Sequence, residues 1–106
     1  MDVKGVLGTI HFDGEWITIT KRPVGQRGTD YRIRAADVTG TRFKPGNWAF
    51  HGYVQFVLPG STAAPEEKGL GLGGRPPYSD PHSLSIPRKS NDAAEKLVAA
   101  VEQARG

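Results

Sequence analysis

Residues 38–60 read VTGTRFKPGNWAFHGYVQFVLPG. Two runs of alternating character flank Lys44-Pro45-Gly46-Asn47, where proline presets φ and glycine frees the backbone to turn. The runs predict strands over 38–44 and 50–58. In the second, Gly52, Val54, Phe56 and Leu58 share one face, and His51, Tyr53, Gln55 and Val57 the other. A period of two with one apolar face predicts a half-buried antiparallel strand. In the first, Thr39, Thr41 and Phe43 lie opposite Val38, Gly40, Arg42 and Lys44, which directs two cations toward water. The stretch predicts a β-rich fold and is silent on chemistry.

On its N-terminal side, residues 5–12 alternate Val6, Gly8, Ile10 and Phe12 with Leu7, Thr9 and His11. Asp13-Gly14 then signals a type I′ hairpin, because glycine accepts positive φ. Residues 15–21 return with Ile17 and Ile19 on one face and Trp16, Thr18 and Thr20 on the other. The loop 22–30, RPVGQRGTD, leads to a short strand, 31–34, with Tyr31 and Ile33 inward and Arg32 and Arg34 outward. Ala35-Ala36-Asp37 turns into the strand at 38, which completes a meander of five strands.

On the C-terminal side, residues 59–81 contain five glycines and five prolines and predict one long flexible loop. Gly69-Leu70-Gly71-Leu72-Gly73-Gly74 matches G-x-G-x-x-G, but Arg75-Pro76-Pro77 follows, which cannot open the helix a dinucleotide site needs. Residues 82–86 form the last expected strand, with Leu84 and Ile86 inward. Ser90, Asn91 and Asp92 offer helix caps, and Asp92 with Glu95 has capping-box spacing. Ala94, Leu97, Val98, Val101 and Ala104 then make one apolar stripe on a C-terminal helix.

At 106 residues the chain is expected to form a single domain with one modest core. It has no cysteine, which excludes a disulfide framework and a thiolate metal site. No run of 18 apolar residues and no signal-peptide pattern is present, so the expected compartment is the cytoplasm. The net charge of +3 is concentrated: residues 16–48 carry seven Lys/Arg against two Asp/Glu. Such a field attracts polyanions, and it also serves to keep an exposed sheet solvated.

A meander, a further strand and one amphipathic C-terminal helix is the order of a pleckstrin-homology-like fold. The expected class is therefore α+β: a rolled antiparallel sheet or barrel of six or seven strands, capped by the helix. Glycines at 5, 8, 40 and 52 suit the bends and close approaches of such a sheet. The pattern G-x-x-G-x-x-x-F-D-G-E-x-x-x-I from Gly5 to Ile19 adds to this, with Val38-Thr39-Gly40, Lys44-Pro45, Gly52-Tyr53-Val54-Gln55-Phe56, Pro59-Gly60 and Asp80-Pro81-His82. On these residues the chain resembles domain-of-unknown-function family 4429 of actinobacteria. The resemblance implies a pleckstrin-homology-like fold; the family often carries this unit in tandem or joined to a short C-terminal oligomerisation segment, whereas the present sequence shows one copy.

The candidate ligand-binding face is basic: Lys21, Arg22, Arg27, Arg32, Arg34, Arg42 and Lys44. If the strands at 31–34 and 38–44 pair, four of these cations share one surface and would contact phosphates of lipid headgroups or nucleic acid. Lipid-binding relatives of the implied fold place cations around the first hairpin; here that hairpin is read as the acidic Asp13-Gly14-Glu15 tip, which argues against such a site. Trp48 is expected to pack over the mouth of the sheet; exposed, it would contact a peptide or membrane. His11, His51 and His82 lack metal-ligand spacing, and no nucleophile elbow or carboxylate pair is present. The expected function is a non-catalytic binding or assembly module, without cofactor or metal, for a protein or peptide partner. The alternative is a membrane-surface or polyanion adaptor, peripheral to the membrane, and self-association remains open as well.

Overall fold

The computed structural model of the chain describes residues 1–22, 24–25, 27–59, 67–68, 74–75 and 81–105. The fold is α+β: two antiparallel sheets and one C-terminal helix. The first sheet has the order β1 (Asp2–Gly5), β2 (Gly8–Phe12), β3 (Trp16–Lys21), β4 (Thr29–Arg34). The second has β5 (Gly40–Lys44), β6 (Gly52–Val57) and, after a two-residue pair of β7 (Glu67–Lys68) with β8 (Gly74–Arg75), β9 (Ser83–Ile86). Helix α1 (Asn91–Ala104) follows. Among the described residues the two sheets do not join into one closed barrel.

The expected N-terminal strand is two strands. Val6 and Leu7 form a turn between β1 and β2, with Leu7 in the left-handed region at φ 53°. The flanking glycines permit crowding there. A Cβ on Gly5 would overlap Leu84 and the Ser85 carbonyl, so β1 crosses close to β9. The Val6 N–H donates to the Ser85 carbonyl at 2.8 Å, which ties the two sheets at one corner. Gly40, by contrast, meets nothing, so no close approach requires it.

The β2–β3 turn lies one residue beyond the expected Asp13-Gly14 centre. Phe12 pairs with Ile17 and the Asp13 N–H donates to the Trp16 carbonyl, so Gly14 and Glu15 occupy the central positions. Gly14 has φ 104°, and Glu15 is not in the positive-φ region. Positive φ at the first central residue alone is the type II′ pattern rather than I′. Asp13 favours this placement because its carboxylate accepts from the Glu15 and Trp16 N–H groups at 2.9 and 2.7 Å.

The expected five-strand meander breaks after β4. A 3₁₀ turn over Ala35–Asp37 buries Ala35 and leads to buried Val38. The Ala35 N–H still bonds the first sheet, at the Glu15 carbonyl, whereas the Thr39 N–H bonds the second, at the Val57 carbonyl. Within four residues the chain changes sheet, because burying two apolar side chains turns it inward instead of into a surface hairpin. The strand β6 is not half-buried: Gly52 to Phe56 are buried on both faces, since it is the central strand between β5 and β9.

The core combines Ile10, Phe12, Ile17, Ile19 and Ile33 of the first sheet with Val54, Phe56, Leu84 and Ile86 of the second. Helix α1 covers it with Ala94, Leu97 and Val101, as the stripe predicts, while Val98 and Ala104 are partly buried at its margin. The expected Asp92 capping box is absent. Ser90 precedes the helix, but its hydroxyl donates to the Lys4 carbonyl, and Asp92 lies inside the first turn. At the other end, Glu102 accepts from the Thr41 hydroxyl at 2.6 Å, and Arg105 donates to the Thr39 carbonyl at 2.6 Å. These bonds fix α1 against β5. The expected loop 59–81 is not without secondary structure: Glu67 and Lys68 pair with Arg75 and Gly74 as β7 and β8, while residues 60–66, 69–73 and 76–80 lie outside those described.

Candidate functional site

The strongest concentration of recognition chemistry lies on the outer face of the first sheet at Trp16. Register builds it. Ile17 pairs with Ile33 on the core side, which places Trp16 directly opposite Arg34 and diagonal to Arg32 on the solvent side. The Arg32 and Arg34 guanidinium carbons lie 4.6 and 5.0 Å from the Trp16 ring centre. Both distances fall within cation–π range. Glu15 approaches Arg34 at 4.0 Å.

This cluster borders an open cleft of about 400 Å³ lined by Trp16, Arg32, Ile33, Arg34, Asp37, Leu58 and Pro59. The cleft spans the gap between β4 and the end of β6, where the sheets part. Among the described residues β4 forms a ladder with β3 only, so its outer edge faces that gap. The site thus joins an edge strand, an aromatic face, two cations and a small apolar floor.

Asp13 supports the cluster from below. Its carboxyl is held below the ordinary aspartate range, first by the Trp16 N–H, then by the Glu15 N–H, with smaller contributions from His11 and Arg32. Asp2 is likewise lowered, chiefly by the hydrogen bond to His11 Nδ1. His51 lies exposed after the β5–β6 turn and His82 half-buried before β9, so the three histidines occupy separate elements.

The expected basic face is not one surface. Strands β4 and β5 belong to different sheets and do not pair, which separates Arg32 and Arg34 from Arg42 and Lys44. Lys21 is only 5 % exposed and is engaged with the rest of the chain. Its position follows the inward alternation of Ile17 and Ile19, a signal present in the sequence. Arg42 is half-buried and donates to Gln55 Oε1 at 3.2 Å, so it does not simply face water. Lys44 is exposed at the end of β5. Arg22 and Arg27 are exposed in the β3–β4 loop, where the Arg22 stem lies over Gly28.

Trp48 does not pack over the sheet; it is 87 % exposed at the tip of the β5–β6 turn. The first hairpin is also not the acidic Asp13-Gly14-Glu15 tip. It is Val6-Leu7, preceded by exposed Lys4, so the acidic turn carries no argument about a first-hairpin lipid site. The sequence reading missed Trp16 as a platform, together with Asp37, Leu58 and Pro59. Only the β3–β4 register brings the first of these to the arginines, and only the parting of the sheets brings the rest.

No curated protein and no solved structure matches the chain. A family model described as Domain of unknown function (DUF4429) matches residues 10–102, which takes in β3 through most of α1 and leaves out β1. With the match running from the second strand into the C-terminal helix, the chain belongs to this family of domains of unknown function.

Proposed function

We propose that the chain is a non-catalytic binding module of pleckstrin-homology-like architecture that holds an extended, acidic segment of a protein partner along β4. The architectural part draws support from seven strands in sheets of four and three followed by one helix. The observation that carries the functional part is the Trp16 ring with two guanidiniums stacked on it, beside an edge strand and an open cleft.

An added strand would use the outward N–H and C=O groups of β4, which supply affinity without sequence preference. Arg32 and Arg34 would add selectivity. Contact with Trp16 holds both guanidiniums on this face, and a bound carboxylate would displace Glu15 from its 4.0 Å approach to Arg34, so two alternate carboxylates of the bound strand would be received with little loss of side-chain freedom. Leu58 and Pro59 would take an apolar residue between them. The setting we propose is cytoplasmic and actinobacterial, with the module peripheral to a membrane or to a larger assembly. Among the described residues no helix is long and apolar enough to cross a membrane.

Titration of an acidic–apolar peptide library into the Trp48→Phe chain tests this, read by Trp16 emission and by protection of β4 amides. Binding should perturb both, and Arg32→Glu with Arg34→Glu should remove it. Peptide binding that leaves β4 amides unprotected, or that survives the double reversal, would place the partner elsewhere.

A further inference from the structure

Trp48 presents a separate surface. Its exposure is not slack: the turn that carries it is built by side-chain bonds. Asn47 Oδ1 accepts from the N–H groups of Ala49 and Phe50, each at 2.8 Å, and the Asn47 N–H donates to the Phe50 carbonyl at 2.8 Å. From the helix, the Asn91 carboxamide donates to the Gly46 carbonyl and accepts from the Gly46 N–H, both at 2.8 Å. These bonds fix the backbone from which the Trp48 side chain projects. Trp48 at 87 % and Phe50 at 41 % exposure are therefore held out in water from a convex tip.

The base of this tip is cationic. A Cβ on Gly46 would sit 3.0 Å from the Arg88 nitrogen, so the entrance to α1 lies directly against the turn. Arg88 and Lys89 are both exposed there, and Ser90 holds the Lys4 carbonyl at 2.5 Å, which brings exposed Lys4 to the same end. Among the described residues, the acids on these segments include Asp92 in the first turn of α1 and Asp2, which is paired with His11. Three exposed cations, Lys4, Arg88 and Lys89, thus lie on the segments that these contacts join to the turn carrying Trp48 and Phe50.

We propose that this tip inserts into the interface of an anionic phospholipid bilayer, with Trp48 and Phe50 at headgroup depth and Lys4, Arg88 and Lys89 on the lipid phosphates. A convex apolar tip fits a soft surface that closes around it, whereas a protein partner would have to supply a matching pocket. Tryptophan is enriched at headgroup depth, where its ring is apolar and its N–H remains wet. Basic residues at the cytoplasmic surface of anionic membranes add attraction that salt screens. The site is distinct from the Trp16 cleft, which faces the gap between the sheets.

The test is co-sedimentation with phosphatidylserine-containing vesicles at low salt, beside neutral phosphatidylcholine vesicles. Wild type should sediment with the first and not the second. Arg88→Glu with Lys89→Glu should weaken binding at least twentyfold, at about fivefold for each charge lost. Trp48→Ala should weaken it about tenfold while unfolding remains unchanged. In the Trp16→Phe chain, brominated lipid should quench Trp48 emission. Protein that stays in the supernatant at low salt, Trp48→Ala that sediments like wild type, or unquenched Trp48 would each overturn the proposal.

Discussion

The two tryptophans occupy opposite kinds of environment, and the contrast shows how each was made. Trp16 sits on a sheet face and is enclosed by side chains that register brings from the neighbouring strand. Trp48 sits on a turn whose backbone is satisfied by Asn47 and Asn91, leaving the ring with no part in the fold. One ring is positioned by its neighbours; the other is displayed by a scaffold beneath it. A tryptophan that contributes packing and one that is held away from packing cannot be told apart by residue type.

The largest perturbation should erase the contrast altogether. Leu97 is fully buried where α1 covers both sheets. Leu97→Ala should cost about 3–5 kcal/mol, a large part of the stability of a domain this size. Trp16 emission and the backbone circular dichroism should be lost in one transition on urea unfolding. An unchanged midpoint would mean that the helix is not part of the core on which both sites rest.

Gly52→Ala should act on the Trp48 side. A Cβ there would overlap the Lys44 carbonyl and the backbone of Pro45 and Gly46, so the turn has to move. Overpacking against rigid backbone predicts a loss of about 2–3 kcal/mol. Trp48 emission should change in the folded state while Trp16 emission does not, measured in chains keeping one tryptophan each. Equal change at both rings would show that the two regions are mechanically one.

A smaller effect separates them more cleanly. Asn91→Ala removes both bonds to Gly46 and leaves the Gly46 N–H and carbonyl to water or to nothing, at about 1–2 kcal/mol. Hydrogen exchange should accelerate at Gly46 and around the Asn47 turn and remain unchanged in β3 and β4. Protection that persists in the turn would assign its rigidity to Asn47 alone.

Acid should act mildly and on the other ring. The Asp13 carboxylate is the form that accepts from Trp16 and Glu15, so its folded value lies below the ordinary 3.8. A depressed carboxyl stabilises the fold fully above the unfolded value, and that stabilisation is lost as pH falls through the lower folded value. Trp16 emission should therefore shift below pH 3.8 before Trp48 emission does. Asp13→Asn should remove that ordering.

The legibility of the fold follows the range of the interactions involved. Alternation at Ile17 and Ile19 and the stripe of Ala94, Leu97 and Val101 emerged where expected, because each depends on residues a few positions apart. The turn expected around Lys44–Asn47 instead closes further on, between Asn47 and Phe50, and the next strand begins at Gly52 rather than Phe50. The split of the first strand was not expected at all. Val6 and Leu7 continue the alternation, and only the crossing of β1 over Leu84 and Ser85 explains why the chain turns there between two glycines. The basic face failed for a related reason. Arg32 and Arg34 alternate as Arg42 and Lys44 do, but nothing local says that their strands enter different sheets.

What the sequence determined by itself was thus which residues are inward on each element, where most elements run, and the family to which they belong. Backbone periodicity and turn chemistry are local, and they survive whatever the rest of the chain does. Tertiary structure decided which strands become neighbours, and therefore that Trp16 meets two arginines and that Trp48 is left exposed. Those outcomes depend on a change of sheet at Ala35–Asp37 and on an asparagine reaching Gly46 from 45 residues away, contacts that no local pattern encodes.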